Sequence, residues 1–279
     1  MPNAMPASSP TSSLVRLEYR NVTMRFADRR GAVLTAVRAV SFCVRDGEVV
    51  SLIGPSGCGK STLLNIGSGL TAPSEGLALV DGERVAGPNA QVAFMLQKDL
   101  LLPWRSVAEN VMFGVEIQRV PPPERQRRAA ELLEKFKLAE FAGHYPHQLS
   151  GGMRQRVALA RTLAVDPHVL LLDEPFSAVD AQTRIVLQRD LGRTLAEARK
   201  TALLITHDLL EAVTLSDRVL VMSRRPGAIV DEIAIDMPDR DDPIARRADP
   251  KVNDYVARLM DRLDIAHAAL EREAAGDAA

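Results

Sequence analysis

Gly54-Pro55-Ser56-Gly57-Cys58-Gly59-Lys60-Ser61-Thr62 follows the apolar run Val49-Val50-Ser51-Leu52-Ile53 and leads into the helix-compatible Ser61-Thr62-Leu63-Leu64. The spacing fits G-x-x-x-x-G-K-S, with strand, glycine-rich loop and helix in the order that cradles phosphate. Glycines let the backbone turn its N–H groups inward around phosphate oxygens, and the helix start adds about half a positive charge. That dipole contributes only about 0.3 to 2 kcal/mol, too little to hold a triphosphate in water. Lys60 and a magnesium ion must then carry most of the charge neutralisation.

Farther along, Leu170-Leu171-Leu172 is a second apolar run, and it ends in Asp173-Glu174. Ser61 supplies a hydroxyl for magnesium, and Asp173, at a strand end, is placed to hold the same ion through its water shell. Glu174 is the candidate base, a carboxylate beside the metal-holding aspartate that can accept a proton from, or orient, an attacking water.

The remaining chain sorts by hydrophobic period. Residues 48–53, 92–96, 169–172, 202–205 and 218–222 are short, nearly continuous apolar runs, mostly separated by helical stretches. Such runs read as strands buried on both faces of a parallel-dominated sheet, so an α/β fold is expected. Residues 14–47 alternate, as at Val40, Phe42 and Val44 before Asp46-Gly47, and residues 77–85 repeat the motif around Asp81-Gly82, predicting an N-terminal antiparallel β portion. Between Gln97 and Val165 strand signals vanish. Ser106 and Glu109 form a capping box opening a helix, Pro121-Pro122-Pro123 is expected to end it, and residues 124–138 have helical periodicity. After Arg225-Pro226-Gly227 come a polar strand, an aspartate-rich loop and a helix whose apolar stripe is Val252, Val256, Leu259 and Leu263. The stripe packs either on this chain or on a partner.

Composition limits the setting. The 279 residues are 46% hydrophobic, enough for an ordinary core, and 35 basic against 36 acidic residues give a formal charge of −1. That balance gives no electrostatic reason to expect a nucleic-acid or anionic-lipid partner. Only Cys43 and Cys58 are present, and Cys58 lies inside the phosphate loop, so a reducing cytoplasm is expected. Residues 1–13, rich in proline and serine, lack the pattern of a secretory signal and are expected to be a disordered tail. No stretch approaches 18 uncharged apolar residues, so membrane attachment must come through another protein.

Leu149-Ser150-Gly151-Gly152-Met153-Arg154-Gln155-Arg156 opens another helix with serine and two glycines, a second anion-binding N-terminus in a chain whose first cradle already serves one triphosphate. With this segment about twenty residues before Asp173, the chain resembles the nucleotide-binding subunits of ATP-binding-cassette (ABC) transporters over residues 14–225. The resemblance implies a P-loop NTPase cassette, binding ATP and Mg2+, with a helical subdomain inserted at about residues 98–165. It implies that Ser150, Gly151 and Gly152 approach the γ-phosphate held by a second subunit, so that ATP closes a head-to-tail homodimer and hydrolysis opens it. Phe26 then resembles the aromatic that stacks on adenine, where the family more often has tyrosine; an apolar strand residue is the other reading. Gln97 resembles the glutamine that contacts magnesium and water, His207 the histidine that holds the γ-phosphate and the catalytic glutamate, and Asp180 the aspartate of the dimer interface. Val179 stands where leucine is commoner and Met153 where glutamine is frequent; neither departure removes a charged or phosphate-binding group.

Two functional classes share such a cassette: transport ATPases, and non-transport ATPases acting on nucleic-acid or ribosomal machines. Only about fifty residues separate Gln97 from Ser150, too few for the long coiled coil of DNA-repair members, and one motif set is present where ribosome-acting members usually carry two. Arg125, Arg127 and Arg128 are flanked by Glu124 and Glu131, as on a solvated helix face. Transport is therefore the expected class, with no nucleic-acid partner. Leu101-Leu102-Pro103-Trp104, Glu174-Pro175-Phe176-Ser177 and Arg225-Pro226-Gly227 are most similar to the nitrate, sulfonate and taurine importer branch. That likeness implies separate integral-membrane permease subunits, an extracytoplasmic solute-binding protein acting through them, and a peripheral position on the cytoplasmic face of the inner membrane. The segment from Gln97 to about Gln118 would receive a short permease helix, with Trp104 either an anchor there or a core aromatic. Residues 226–279 are expected to form a C-terminal strand and helical extension.

Overall fold

The computed structural model describes residues 14–27, 31–177 and 179–276, with side chains of the last helix described as far as Leu263. The expected tail at residues 1–13 and Ala178 lie outside the described residues. In chain order the elements are β1 (Val15–Ala27), β2 (Val33–Arg45), β3 (Val49–Ile53), α1 (Lys60–Gly67), β4 (Glu75–Val80), β5 (Glu83–Arg84) and β6 (Val92–Met95). Then follow α2 (Val107–Ile117), α3 (Pro122–Lys135), α4 (Gly151–Ala164), β7 (Val169–Asp173), α5 (Ala181–Glu197), β8 (Thr201–Ile205) and α6 (Leu209–Leu215). The chain finishes with β9 (Arg218–Met222), β10 (Ile229–Ala234), α7 (Pro243–Arg247) and α8 (Lys251–Gly276).

Two sheets result. One is antiparallel in the order β2-β1-β4-β5; the other runs β10-β9-β3-β8-β7-β6, parallel except for β10. The five apolar runs of the sequence are its five parallel strands. Their side chains divide by period two. Leu170, Leu172, Ala202 and Leu204 point into a core shared with α2, α3, α4 and α5, while Val169, Leu171, Leu203 and Ile205 point into one shared with α1 and the antiparallel sheet. Both faces are thus dry, and each buried leucine stabilises the sheet by about 1.5–3 kcal/mol relative to an exposed one. A third core joins Val219, Val221 and Ile233 to α6 and α8, including Val252 and Leu259. The stripe on α8 therefore packs in cis, and β10 is the edge strand of the phosphate-loop sheet.

The capping box forms as read: Ser106 Oγ accepts the Glu109 amide, and the Glu109 carboxylate accepts the Ser106 amide at 2.7 Å. The prolines act differently from expectation. The helix ends earlier, at Ile117, with Arg119 in the left-handed region at φ 59°, and Pro122 begins α3 instead. A proline in a first turn costs nothing, because its missing N–H would have no intrahelical partner and its φ is already helical.

Because β3, β6, β7 and β8 run parallel, their C-terminal ends lie at one edge of the sheet. The loops after them carry residue 54 onward, Gln97, Glu174 and His207 to the same place. Open parallel sheets bind ligands at that edge.

Candidate functional site

Residues Gly54 to Gly59 wrap over the start of α1. Gly59, immediately before it, has φ 103°, and a Cβ there would stand 2.4 Å from Val37 Cγ1, so only glycine lets the loop lie against β2. Lys60 is 8% exposed and folds its Nζ back to donate to Gly54 O at 2.7 Å and Pro55 O at 3.0 Å. Those carbonyls hold the ammonium at the rim of a cavity of about 330 Å³ lined by Phe26, Ser56, Lys60, Thr62, Glu174 and Arg225, among others. Burial pushes the Cys58 thiol up despite the nearby Lys60 charge, leaving it a neutral packing group. Phe26 is 44% exposed and lines the cavity, so it is not a buried strand residue.

Arg225 was absent from the sequence-based site. Its Nη2 and Nε donate to Gly57 O at 3.1 and 3.2 Å across 168 residues of chain, a contact with no local signal in the sequence.

On the far side of the loop stand the two carboxylates. Asp173 ends β7 and pairs in register with Ile205. Burial raises its pKa, the Ser61 hydroxyl hydrogen-bonded to it opposes that shift, Glu174 adds to it, and Lys60 opposes it. Glu174 is in the left-handed region at φ 46°, its amide donating to Ile205 O at 2.9 Å. A non-glycine residue there costs of order 1–3 kcal/mol, and this bend turns the side chain away from the strand line. Glu174 Oε2 consequently meets both Gln97 Nε2 at 3.1 Å and His207 Nδ1 at 3.3 Å. Two residues from neighbouring strand ends, Gln97 after β6 and His207 after β8, thus converge on one oxygen of the carboxylate that follows β7.

The donor chemistry suits Mg2+ under one condition. Ser61, Asp173 and Gln97 present a hydroxyl, a carboxylate and an amide oxygen, all hard donors. Among the described residues no group of three or more His, Cys, Asp or Glu forms a metal cage. Magnesium bound by one carboxylate ordinarily completes its shell with water and substrate phosphate oxygens, so the fit requires a nucleotide.

Ser150, Gly151, Gly152 and Asp180 lie elsewhere. Ser150 caps α4 by accepting the Met153 amide at 3.3 Å, and Asp180 caps α5 by accepting the Thr183 amide at 3.0 Å, which holds its carboxyl below the usual range. A Cβ on Gly152 would stand 2.4 Å from Thr183 Cγ2, so the two helix starts are fitted to each other. None of the four residues lines the phosphate-loop cavity; Gly151 borders a separate hollow with Gln97, Asp99 and Arg154. Beside that hollow, two arginines of α4 act in ways the motif did not assign: Arg154 Nε donates to Asp99 Oδ2 at 3.0 Å, and Arg161 donates to Asp99 O and Leu100 O at 2.6 and 2.8 Å. They fasten the segment after Gln97 to α4. Trp104, on the same segment, is 70% exposed, which rules out the core reading.

Residues 37–177 match the ABC transporter family. The chain belongs to this family. It is similar to the taurine import ATP-binding protein TauB of Burkholderia pseudomallei, with 43% identity over 90% of this chain and 97% of that protein. It is also similar to the uncharacterized ABC transporter ATP-binding protein MJ0412 of Methanocaldococcus jannaschii, with 45% identity over 80% of this chain and 83% of that one. Among solved structures, the ATP-binding cassette MJ0796, in a dimeric post-hydrolysis state bound to ADP and Pi, matches with TM-score 0.71 and 32% identity, covering 79% of this chain and 99% of that chain. The protein is an ABC-type ATPase cassette, and the two sheets with their helical layer are the fold of that family.

Proposed function

We propose that this cassette is the energy-coupling subunit of an importer for taurine, another sulfonate, nitrate or a related small solute, working as a homodimer beneath separate permease subunits. The observation that carries the proposal is the convergence of Gln97 and His207 on Glu174 Oε2, beside Asp173, Ser61 and the lysine-bearing loop. In this reading the backbone from Gly54 through Pro55, Ser56, Gly57, Cys58 and Gly59 to Lys60, Ser61 and Thr62 surrounds the phosphates, and Phe26 stacks on adenine. Ser61, Asp173 and Gln97 hold magnesium. A bound Mg2+ supplies charge neutralisation on the phosphate oxygens. Glu174 takes the proton of the attacking water as the water oxygen bonds to the γ-phosphorus; the bond to the bridging oxygen breaks and ADP leaves with the electron pair. His207, bonded to the same carboxylate oxygen, keeps Glu174 turned toward the water, and its exposed ring is available to a γ-phosphate oxygen.

Ser150, Gly151, Gly152 and Asp180 serve the site of the second copy. Their position outside the phosphate-loop cavity supports this, as does the dimeric state of the MJ0796 cassette. Phosphate charge then belongs to the interface, and loss of the γ-phosphate removes the contact that favours closure. Residues 14–225 form the ATPase domain, with the helical subdomain at about 98–165, and the C-terminal extension from residue 226 packs on it through Ile233, Val252 and Leu259.

Among the described residues no helix is long and apolar enough to cross a membrane. In this reading attachment to the cytoplasmic face is through the permease, itself served by a solute-binding protein. Trp104, exposed beside Arg105, Glu109 and Met112, is the anchor for a permease helix. Trp104→Ala is expected to lower solute-stimulated hydrolysis in the reconstituted transporter by about tenfold, a loss typical of an interface anchor, while sparing basal hydrolysis of the isolated cassette. Equal losses in both assays would remove Trp104 from the interface. The proposed function itself is tested by co-purifying the membrane subunits and measuring which solute stimulates their ATPase activity; no stimulation by any sulfonate or nitrate would reject the assigned cargo.

A further inference from the structure

Behind His207 lies a carboxyl group that the hydrolytic cluster leaves unused. Glu211, in the first turn of α6, is 5% exposed, and its Oε2 accepts a hydrogen bond from Thr206 Oγ1 at 3.0 Å. The same hydroxyl oxygen accepts the Asp208 amide at 3.0 Å. Asp208 Oδ1 in turn accepts the amides of Leu210 and Glu211 at 3.0 and 3.1 Å. His207 is thus the one residue of this turn whose side chain faces outward, 64% exposed, from a closed ring of bonds made by its neighbours on both sides.

The charged groups facing Glu211 are Asp208, Arg184 from α5 and Glu174 from the loop after β7. Arg184 Nη1 stands 3.7 Å from Asp208 Oδ2, and Arg184 Nη2 donates to Val179 O at 3.3 Å. Arg184 Nε and Glu211 Oε1 are both buried without a hydrogen-bond partner among the described residues. The guanidinium makes its ion-pair contact with Asp208 and offsets the charge of buried Glu211 only in part. An ionised carboxylate there would be repelled by Asp208 and Glu174, whereas a neutral one can still receive the Thr206 hydroxyl. Burial pushes the Glu211 pKa up to about 8, so the proton is held at neutral pH and lost as pH rises through that value.

We propose that Glu211 is a positioning residue for hydrolysis: through Thr206 it fixes the turn from which His207 reaches Glu174. The inference rests on the role given to His207 above. Loosening the turn by an ångström would misplace the His207 ring and lower kcat without removing any group that binds ATP.

The experiment is a comparison of kcat and KM for ATP, across a pH range spanning 8, in the full chain and in Glu211→Leu, Glu211→Gln, Thr206→Val and His207→Ala. Glu211→Leu and Thr206→Val are expected to lose about tenfold or more in kcat with KM within about twofold, as misplacement of a catalytic group requires. Glu211→Gln, neutral at every pH and able to accept the same hydrogen bond, is expected to keep near-normal kcat and to hold it above pH 8, where the unaltered chain declines. Wild-type kcat in both Glu211→Leu and Thr206→Val, with His207→Ala inactive, would overturn this inference and leave the site reading standing. Wild-type kcat in His207→Ala would overturn both. Should Glu211→Leu fail to fold, Thr206→Val and the pH profile of Glu211→Gln decide: a normal Thr206→Val rate, or coincident profiles above pH 8, contradicts the proposal.

Discussion

Glu174→Gln is expected to bind ATP as tightly as the unaltered chain yet lose hydrolysis by about 10²–10⁴-fold, the usual contribution of a positioned general base. The substitution keeps the volume and an acceptor for Gln97 Nε2 and His207 Nδ1, which meet Glu174 Oε2 at 3.1 and 3.3 Å, and removes only the capacity to take a proton. Its backbone bend at φ 46° is set by the strand end and survives the change. With ATP bound and never cleaved, the γ-phosphate contact that favours closure persists, so the variant should accumulate as an ATP-dependent dimer. Single-turnover hydrolysis together with gel filtration in ATP checks both parts. Normal turnover would remove Glu174 from catalysis; lost turnover with lost ATP binding would mean that the bend or the neighbouring Asp173 had been disturbed.

Lys60→Ala acts earlier, on binding itself. The ammonium carries the one formal positive charge inside the loop from Gly54 to Thr62, and a charge-assisted hydrogen bond of this type contributes about 1.5–3 kcal/mol, roughly 10- to 100-fold in affinity. Lys60 Nζ also braces the loop through Gly54 O and Pro55 O, so part of the loss could come from loop geometry. Titration of ATP and ADP separates the two. Loss of charge neutralisation weakens ATP, with its extra phosphate, more than ADP; a collapsed loop weakens both alike and lowers the nucleotide-free melting temperature. Unchanged ATP affinity would contradict the charge argument outright.

What was legible in the sequence follows from where the physical constraint is local. Strands buried on both faces are nearly continuous in apolar residues, which is why the runs at 48–53, 92–96, 169–172, 202–205 and 218–222 mark, to within a residue at either end, the strands at 49–53, 92–95, 169–173, 201–205 and 218–222. The capping box at Ser106 and Glu109 and the phosphate loop are equally local, since each is satisfied within a few residues. The prolines at 121–123 show the limit of such reading. The same residue type stops one helix or starts the next, and only the chain direction after Gln118 decides. Contacts across long separations left no trace. Arg225 on Gly57 O, Arg161 on the carbonyls of Asp99 and Leu100, and the burial of Glu211 facing Arg184 of α5 all depend on the finished packing. Glu211 in particular reads as a solvated glutamate in an isolated helix. Its surroundings come from distant parts of the chain: Arg184 of α5 and Glu174 after β7 face it, and Thr206 Oγ1 donates to its Oε2.

A mixture of two inactive variants addresses most directly the claim that each site is built from two chains. Lys60→Ala spoils the phosphate loop and Ser150→Arg spoils the start of α4, so neither is expected to hydrolyse ATP alone. If Ser150 serves the partner, a mixed pair has one site with both defects and one with neither, and ATPase activity should return on mixing, well above the sum of the two separate preparations. If Ser150 serves the phosphate loop of its own chain, every site in the mixture carries one defect, and the mixture would stay as inactive as its parts.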